Sequence, residues 1–322
     1  MLSRHFLRSK VLQSLYSCYV NPIELVNLEL GFKANIARFN CFGVMQLSIL
    51  SEARQVAERV LDDLSHKFNP TEAEKHPSAR FLENRFIKAL EENLNYRQQK
   101  ERYKISWALE EDLFYSFFLE FRTTKCYEDY INSADTFESD HEFAIQIFKA
   151  LVMNSSIRAS ICEHDIMWED DYDQVAQYNY MMLKTFDSSF DAATVLPMMY
   201  DERMEKDVAD FDFAFQLLRE AYLQRDENEK LIKSHLKGWE FERVAVMDLV
   251  IVNMAVAEVT TFSTIPERVT IDEYIELAKE FSTDRSKLFV NGILDRMFAE
   301  LRASGRINKV GRGIDAMDDA EE

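Results

Sequence analysis

Seven glycines and five prolines are all that punctuate 322 residues. Tight turns depend on these residue types for positive φ angles and chain reversals, so a chain this poor in them has few places to turn sharply. Its apolar residues, 24 Phe, 13 Tyr and 13 Met among them, recur mostly at helical spacing. An all-α fold follows. The chain has the length of one large or two ordinary domains and can bury a sizeable core.

Periodicity predicts helices over 4–19, 43–66, 80–98, 108–122, 140–153, 173–186, 205–224 and 226–237, then three linked helices over 239–296. Residues 67–79 and 187–203 read as connections, and 304–322, with three glycines and no apolar period, as a disordered acidic tail. An internal repeat is visible: HEFAIQIFKALVMNS at 141–155 resembles DFAFQLLREAYLQRD at 212–226. Phe143, Ala144 and Gln146 parallel Phe213, Ala214 and Gln216, and each copy leads to a Trp, Trp168 or Trp239. A weaker echo at 85–93 precedes Trp107. Duplication of a helix-pair unit and chance likeness between amphipathic helices both fit.

Several function classes are excluded. Cys18, Cys41, Cys126 and Cys162 form no CxxC pair and no ligand-like spacing with the six histidines. Neither a disulfide framework nor structural zinc is expected, and reduced thiols suit a cytoplasmic protein. The run after MLSRHFLRSK is short and broken by Gln13, Ser14 and Ser17, so it reads as a helix and not a signal peptide. The most apolar run, 244–259, is interrupted by Asp248 and Asn253 and is too short to span a bilayer. There is no Gly-rich phosphate loop, no GxSxG and no HExxH. No catalytic residue, cofactor, metal, membrane or small-molecule substrate is expected.

The net charge of −19 argues against broad nucleic-acid affinity, but its distribution is uneven. Residues 1–40 carry +3 and 285–313 carry +5, around a body at 41–284 of −22. Two basic ends that met in space would form a local positive patch. In the first helix Arg4 and Arg8 continue the line of Val11, Leu15 and Tyr19, so an apolar stripe turns cationic. Such a stripe must project past the edge of the core, because a buried unpaired arginine is costly. With His5, these residues either grip phosphates or pair with the acidic body. In the last helix Ser282 or Thr283 is the expected N-cap. Phe289 falls at the edge of the core face with Leu288 opposite, and beside Arg285 and Lys287 it either stacks on a base or caps the core. Gly292 costs about 1 kcal/mol relative to Ala in a helix, which implies close approach of another helix or of a ligand backbone.

The segments DEYIELAK at 272–279 and FVNGILD at 289–295 resemble hallmark helices of the NusB family of bacterial transcription antitermination factors. SRHFLRSKVLQSLYSCY is similar to the family's Arg-rich opening and Gln-x-Leu-Tyr element. FLENRFIKALEEN, the three Trp corners and RMEKDVADFDFAFQLL resemble the long variety of the family found in Bacteroidota. The resemblance implies a NusB-like helical bundle, 1–40 with 204–303, enlarged by an inserted or duplicated set of helices at 41–203. It implies a non-catalytic, cytoplasmic adaptor that binds boxA-type single-stranded RNA with ribosomal protein NusE, within the RNA polymerase antitermination complex of ribosomal RNA operons. Carried onto this chain, the RNA-binding residues are Arg4, His5, Arg8, Lys10, Gln13, Tyr16, Lys287 and Phe289. Two departures stand out: His5 and Phe6 occupy places where arginine is frequent, and Arg285 stands where an acidic residue is common. A scaffold that keeps the fold and binds RNA weakly or not at all is the alternative.

Overall fold

Twelve consecutive residues of the helix Val246–Thr261, from Asp248 to Val259, are buried. A helix enclosed on every side needs neighbours all round, and its own unit supplies them. The computed structural model describes residues 2–236, 241–283 and 285–311, and among these residues there are helices and no strand. In chain order the α-helices are α1 (Arg4–Val20), α2 (Leu25–His66), α3 (Glu72–Lys75), α4 (Arg85–Glu92), α5 (Leu94–Arg102), α6 (Glu111–Phe121), α7 (Lys125–Ile131), α8 (Phe137–Met153), α9 (Ser155–His164), α10 (Tyr172–Leu183), α11 (Glu205–Leu223), α12 (Arg225–His235), α13 (Val246–Thr261), α14 (Glu267–Phe281) and α15 (Ser286–Ala303). No helix among the described residues is long and apolar enough to cross a membrane.

The chain divides into two units. The first is Ala37–Tyr200; the second joins Leu2–Ile36 to the chain from Asp201 onward. In the first, Phe81, Phe118, Phe143 and Tyr127 form a ring cluster with centroids 5.4–6.4 Å apart, which explains the phenylalanine content. Buried asparagines set its helix boundaries. Asn84 caps α4 through Ile87 N–H and also donates to Tyr130 Oη and the Asp140 carbonyl. Asn93 caps α5 through Tyr96 N–H and donates to the Asp191 and Thr194 carbonyls. The predicted helix 80–98 is therefore two, broken where Asn93 turns the chain.

In the second unit α13 is central, packed against α1, α11, α12, α14 and α15. Its three buried polar residues, Asp248, Asn253 and Glu258, are five apart, so each step turns roughly 140° and the three point to different sides. Each anchors a different neighbour. Asp248 accepts from Ser282 and Ser286 at the α14–α15 turn (2.6 and 3.0 Å). Asn253 accepts from Asn228 of α12 and donates to the Ala221 carbonyl of α11 (both 2.8 Å). Glu258 holds α1 and α14, as described below.

Several expectations change. The predicted helix 43–66 begins eighteen residues earlier, at Leu25; Gly31, Asn35, Asn40 and Gly43 disguise that part of α2. The first part of the expected disordered tail is ordered. Ile307 is buried, Val310 N–H donates to the Ser263 carbonyl, and the Lys309 ammonium donates to the Val259 and Phe262 carbonyls (2.8 and 2.9 Å). The end of α13 presents carbonyls without intrahelical partners, and a lysine satisfies them. Residues 312–322 lie outside the described residues, as does Trp239. The repeat extends to element order. A long helix, a short one, a 3-10 turn and another helix follow one another as α8, α9, Ile166–Trp168, α10 and as α11, α12, Phe241–Arg243, α13. Phe143 and Ala144, like Phe213 and Ala214, are buried, while Gln146 and Gln216 are exposed.

Candidate nucleic-acid interface

The first helix starts after Ser3, whose hydroxyl accepts from Phe6 N–H as an N-cap. Two turns on, Arg8 is only 2% exposed. Its Nε and Nη2 donate to the two oxygens of Glu258 at 2.6 and 2.9 Å, and Nη1 lies 3.2 Å from Glu273. Glu258 is itself fully buried and accepts further from Thr270 Oγ1 (3.0 Å) and Tyr274 Oη (3.1 Å). Burial and the Glu258 carboxylate hold the Tyr274 phenol well above its ordinary range. The premise that an arginine on this stripe must lie beyond the core fails, because the core provides a carboxylate for it. Arg8, expected as a phosphate contact, is thus held inside the protein between two carboxylates. A guanidinium enclosed by two carboxylates reaches no outside phosphate.

The neighbours of Arg8 are also engaged. Lys10 is 4% exposed overall; its ammonium donates to Gln13 Oε1 at 2.8 Å and lies 5.2 Å from the centre of the Phe6 ring. Lys10 and Gln13, both expected at the RNA site, thus contact one another along α1. Arg4 is about half exposed, bonds Asp210 at 2.8 Å and lies over Phe213. His5 bridges Glu273 (2.8 Å) and Glu280 (3.1 Å) on successive turns of α14. Tyr16, at 37% exposure, is the accessible aromatic of this helix.

The His5 bridge makes a pH prediction. The Glu273 hydrogen bond and the Glu280 contacts raise His5 above its ordinary 6.5 against the opposing effect of burial, and His5 holds Glu273 below its ordinary 4.5. The histidine contribution is complete below pH 6.5 and is lost as pH rises through the raised folded-state value. The Glu273 contribution is present above pH 4.5 and is lost as pH falls through the lowered one. Thermal melting of wild type and His5→Asn should therefore differ most between these limits, with the gap closing as pH rises through the raised value of His5.

The last helix is held differently. Arg285, without a side-chain capping bond, stands where α15 begins, and Ser286 is its first residue. The expected N-cap of Ser282 or Thr283 is replaced by a tertiary bond, since the Ser282 and Ser286 hydroxyls donate to Asp248 of α13. Asp284 lies outside the described residues. Glu280 and Ser282 are two residues apart, so the start of α1, through His5, and the start of α15, through Ser286, reach the same end of α14. Lys287 is exposed there and Leu288 is 71% exposed.

Phe289 takes a different flank. It shares a helical face with Arg285, Gly292 and Arg296, and at i+11 with Glu300, which reaches His235 of α12 (3.2 Å). Arg302, on the other flank, reaches Glu267 of α14 (2.5 Å). The aromatic therefore looks toward the α12 side and not toward α14 and α1. Sequence reasoning missed this stripe, although the spacing 285, 289, 292, 296 was there to read. Phe289 is half-buried, and a Cβ added at Gly292 would meet nothing within 4 Å. No helix among the described residues explains that glycine. Arg285 and Arg296 are exposed and have no carboxylate at ion-pair distance among the described residues. Few arginines share that state in a chain with 57 acidic residues.

The second unit is thus an all-α bundle around one enclosed helix, with exposed Arg285 and Arg296 flanking half-buried Phe289 and Gly292 on α15. The NusB family model matches residues 176–299. "Transcription antitermination protein NusB" of Salinibacter ruber is 38% identical over 132 residues, 41% of this chain and 82% of that protein. The protein of the same name from Symbiobacterium thermophilum is 39% identical over 34% of this chain and 72% of its own length. The one from Chloroherpeton thalassium is 35% identical over 35% and 54%. A solved structure of T. maritima NusB is 29% identical, covering 48% of this chain and 86% of that one, with a TM-score of 0.28. The chain belongs to the NusB family.

Proposed function

We propose that this chain acts in transcription antitermination as a non-catalytic adaptor. It binds boxA-type single-stranded RNA together with NusE, in the cytoplasm and within the RNA polymerase antitermination complex. The observation that carries this reading is the α15 stripe. Arg285 and Arg296 offer exposed guanidinium groups that no carboxylate among the described residues reaches, Phe289 stands half-buried between them, and Gly292 leaves room for a backbone to approach. Lys287 adds a phosphate contact at the first turn. Arg4 and His5 contribute a weaker field, since Asp210, Glu273 and Glu280 already engage them; Tyr16 adds an exposed ring.

The scaffold reading is favoured by a separate observation: the cations of α1 are engaged inside the protein. Titration of fluorescent boxA-type RNA and a scrambled RNA of equal length, with and without NusE, separates the two. The adaptor reading expects a preference for boxA-type RNA, tighter binding with NusE, and affinity that falls steeply with salt. NusE capture with no measurable RNA affinity would leave only the scaffold.

A further inference from the structure

Residues 94–104, LNYRQQKERYK, are a cationic island in the acidic body: Arg97, Lys100, Arg102 and Lys104 stand against Glu101 alone. Almost every other arginine of the first unit has a carboxylate, as with Arg38–Asp165, Arg59–Glu111, Arg85–Asp135 and Arg158–Asp173. Arg97, Lys100, Arg102 and Lys104 have none at ion-pair distance among the described residues. Arg97, Lys100 and Lys104 lie at i, i+3 and i+7, along one face of α5 and its C-terminal turn. That face lines an open cleft of about 570 Å³, with Ser51 and Ser106 also on its wall. Two carboxylates line it too: Glu91 is held in a two-point pair by Arg54 (2.9 and 2.5 Å), so its charge is already matched, and Glu101 is left as the single acid against the three cations.

Lys104 adds a second observation. Its φ is +54°, and it is the non-glycine residue with positive φ among the described residues. Ile105 N–H bonds the Lys100 carbonyl and Lys104 N–H bonds the Glu101 carbonyl, so α5 ends in a Schellman turn. Lys104 occupies the left-handed position that glycine fills at least cost. The helix dipole accounts for cations in the last turn, Lys100 and Arg102. It accounts neither for Arg97 one turn earlier nor for a lysine standing where glycine is better suited.

We infer that this cleft binds the phosphodiester backbone of single-stranded RNA, a second RNA contact in the unit that the family match at 176–299 hardly touches. The inference rests on the reading of the chain as an RNA binder, and its test is independent of the α15 stripe. Lys104→Gly should raise the melting temperature, by relieving the backbone, and lower RNA affinity severalfold. Arg97→Glu/Lys100→Glu/Lys104→Glu should lower affinity at least tenfold and flatten its salt dependence, also in a full chain whose Arg285 and Arg296 are already alanine. With wild type, RNA should protect Lys100 and Lys104 from amine acylation, read by mass spectrometry, whereas ATP and poly-glutamate should not. Unchanged RNA affinity in the triple variant, Lys104→Gly that melts higher with full RNA binding, or equal protection by ATP or poly-glutamate would overturn it. Loss of RNA binding in the α15 variant with lysine protection intact would instead count against the α15 reading alone.

Discussion

Arg8→Ala is expected to destabilise the protein by roughly 3–5 kcal/mol, the largest effect of any single substitution on the basic face of α1. The reason lies in what remains behind. Glu258 has no exposed surface, and without Arg8 its charge keeps only the hydroxyls of Thr270 and Tyr274. A buried carboxylate in that position must either protonate or draw in water, and both disrupt the contact among α1, α13 and α14. Arg8→Met combined with Glu258→Leu removes both charges and should recover much of the loss, because replacing a buried pair by apolar groups of similar size is often close to neutral. Urea denaturation of the two variants checks this. A loss under about 1 kcal/mol for Arg8→Ala would show that the pair is not closed to solvent. Reduced RNA binding by Arg8→Ala would then say nothing of contact unless the variant is shown to be folded.

The α15 stripe should give the largest functional effect. Phe289→Ala removes a stacking contact of about 1–3 kcal/mol, or roughly five- to 150-fold in affinity. Arg285→Ala/Arg296→Ala removes two phosphate contacts and should reduce the slope of log affinity against log salt by about 1.4. Both arginines are exposed and outside any ion pair among the described residues, so this variant should melt like wild type. Gly292→Ala distinguishes a binding face from a mere edge of the core. Alanine fits without a clash and favours the helix by about 1 kcal/mol, so stability should rise. RNA affinity should fall, because the methyl group occupies the approach to Phe289. Filter-binding titrations from low to moderate salt measure all three. A Gly292→Ala protein that is stabilised and binds RNA fully would make the glycine irrelevant to binding.

Much of the fold was legible because helices write a local pattern. The stripes of α8, α10, α11, α12 and α15 fixed their limits to within a few residues, and Leu288 fell outside the core as its position implied. What escaped depends on tertiary contact. The Asn and Gly residues of early α2 look like turn signals, and only packing makes that stretch a helix. The candidate site was legible in residue type more than in role. Nothing near Arg8 reveals that Glu258, 250 residues later, receives it. An acid in an apolar run was the available signal: Asp248 and Asn253 showed as interruptions, and Glu258 continues their five-residue spacing. Phe289 was visible, but its partner Arg296 required asking which cations lack carboxylates, a question only coordinates answer.

The most direct measurement is cross-linking of full-length protein to boxA-type RNA carrying 4-thiouridine, followed by trypsin digestion and mass spectrometry. The cross-linked peptide should be residues 288–296, which contain Phe289, with a marked loss in Phe289→Ala. Cross-links that avoid this peptide, in a sample whose RNA binding has been verified, would contradict the assignment of the α15 stripe as the RNA-binding face.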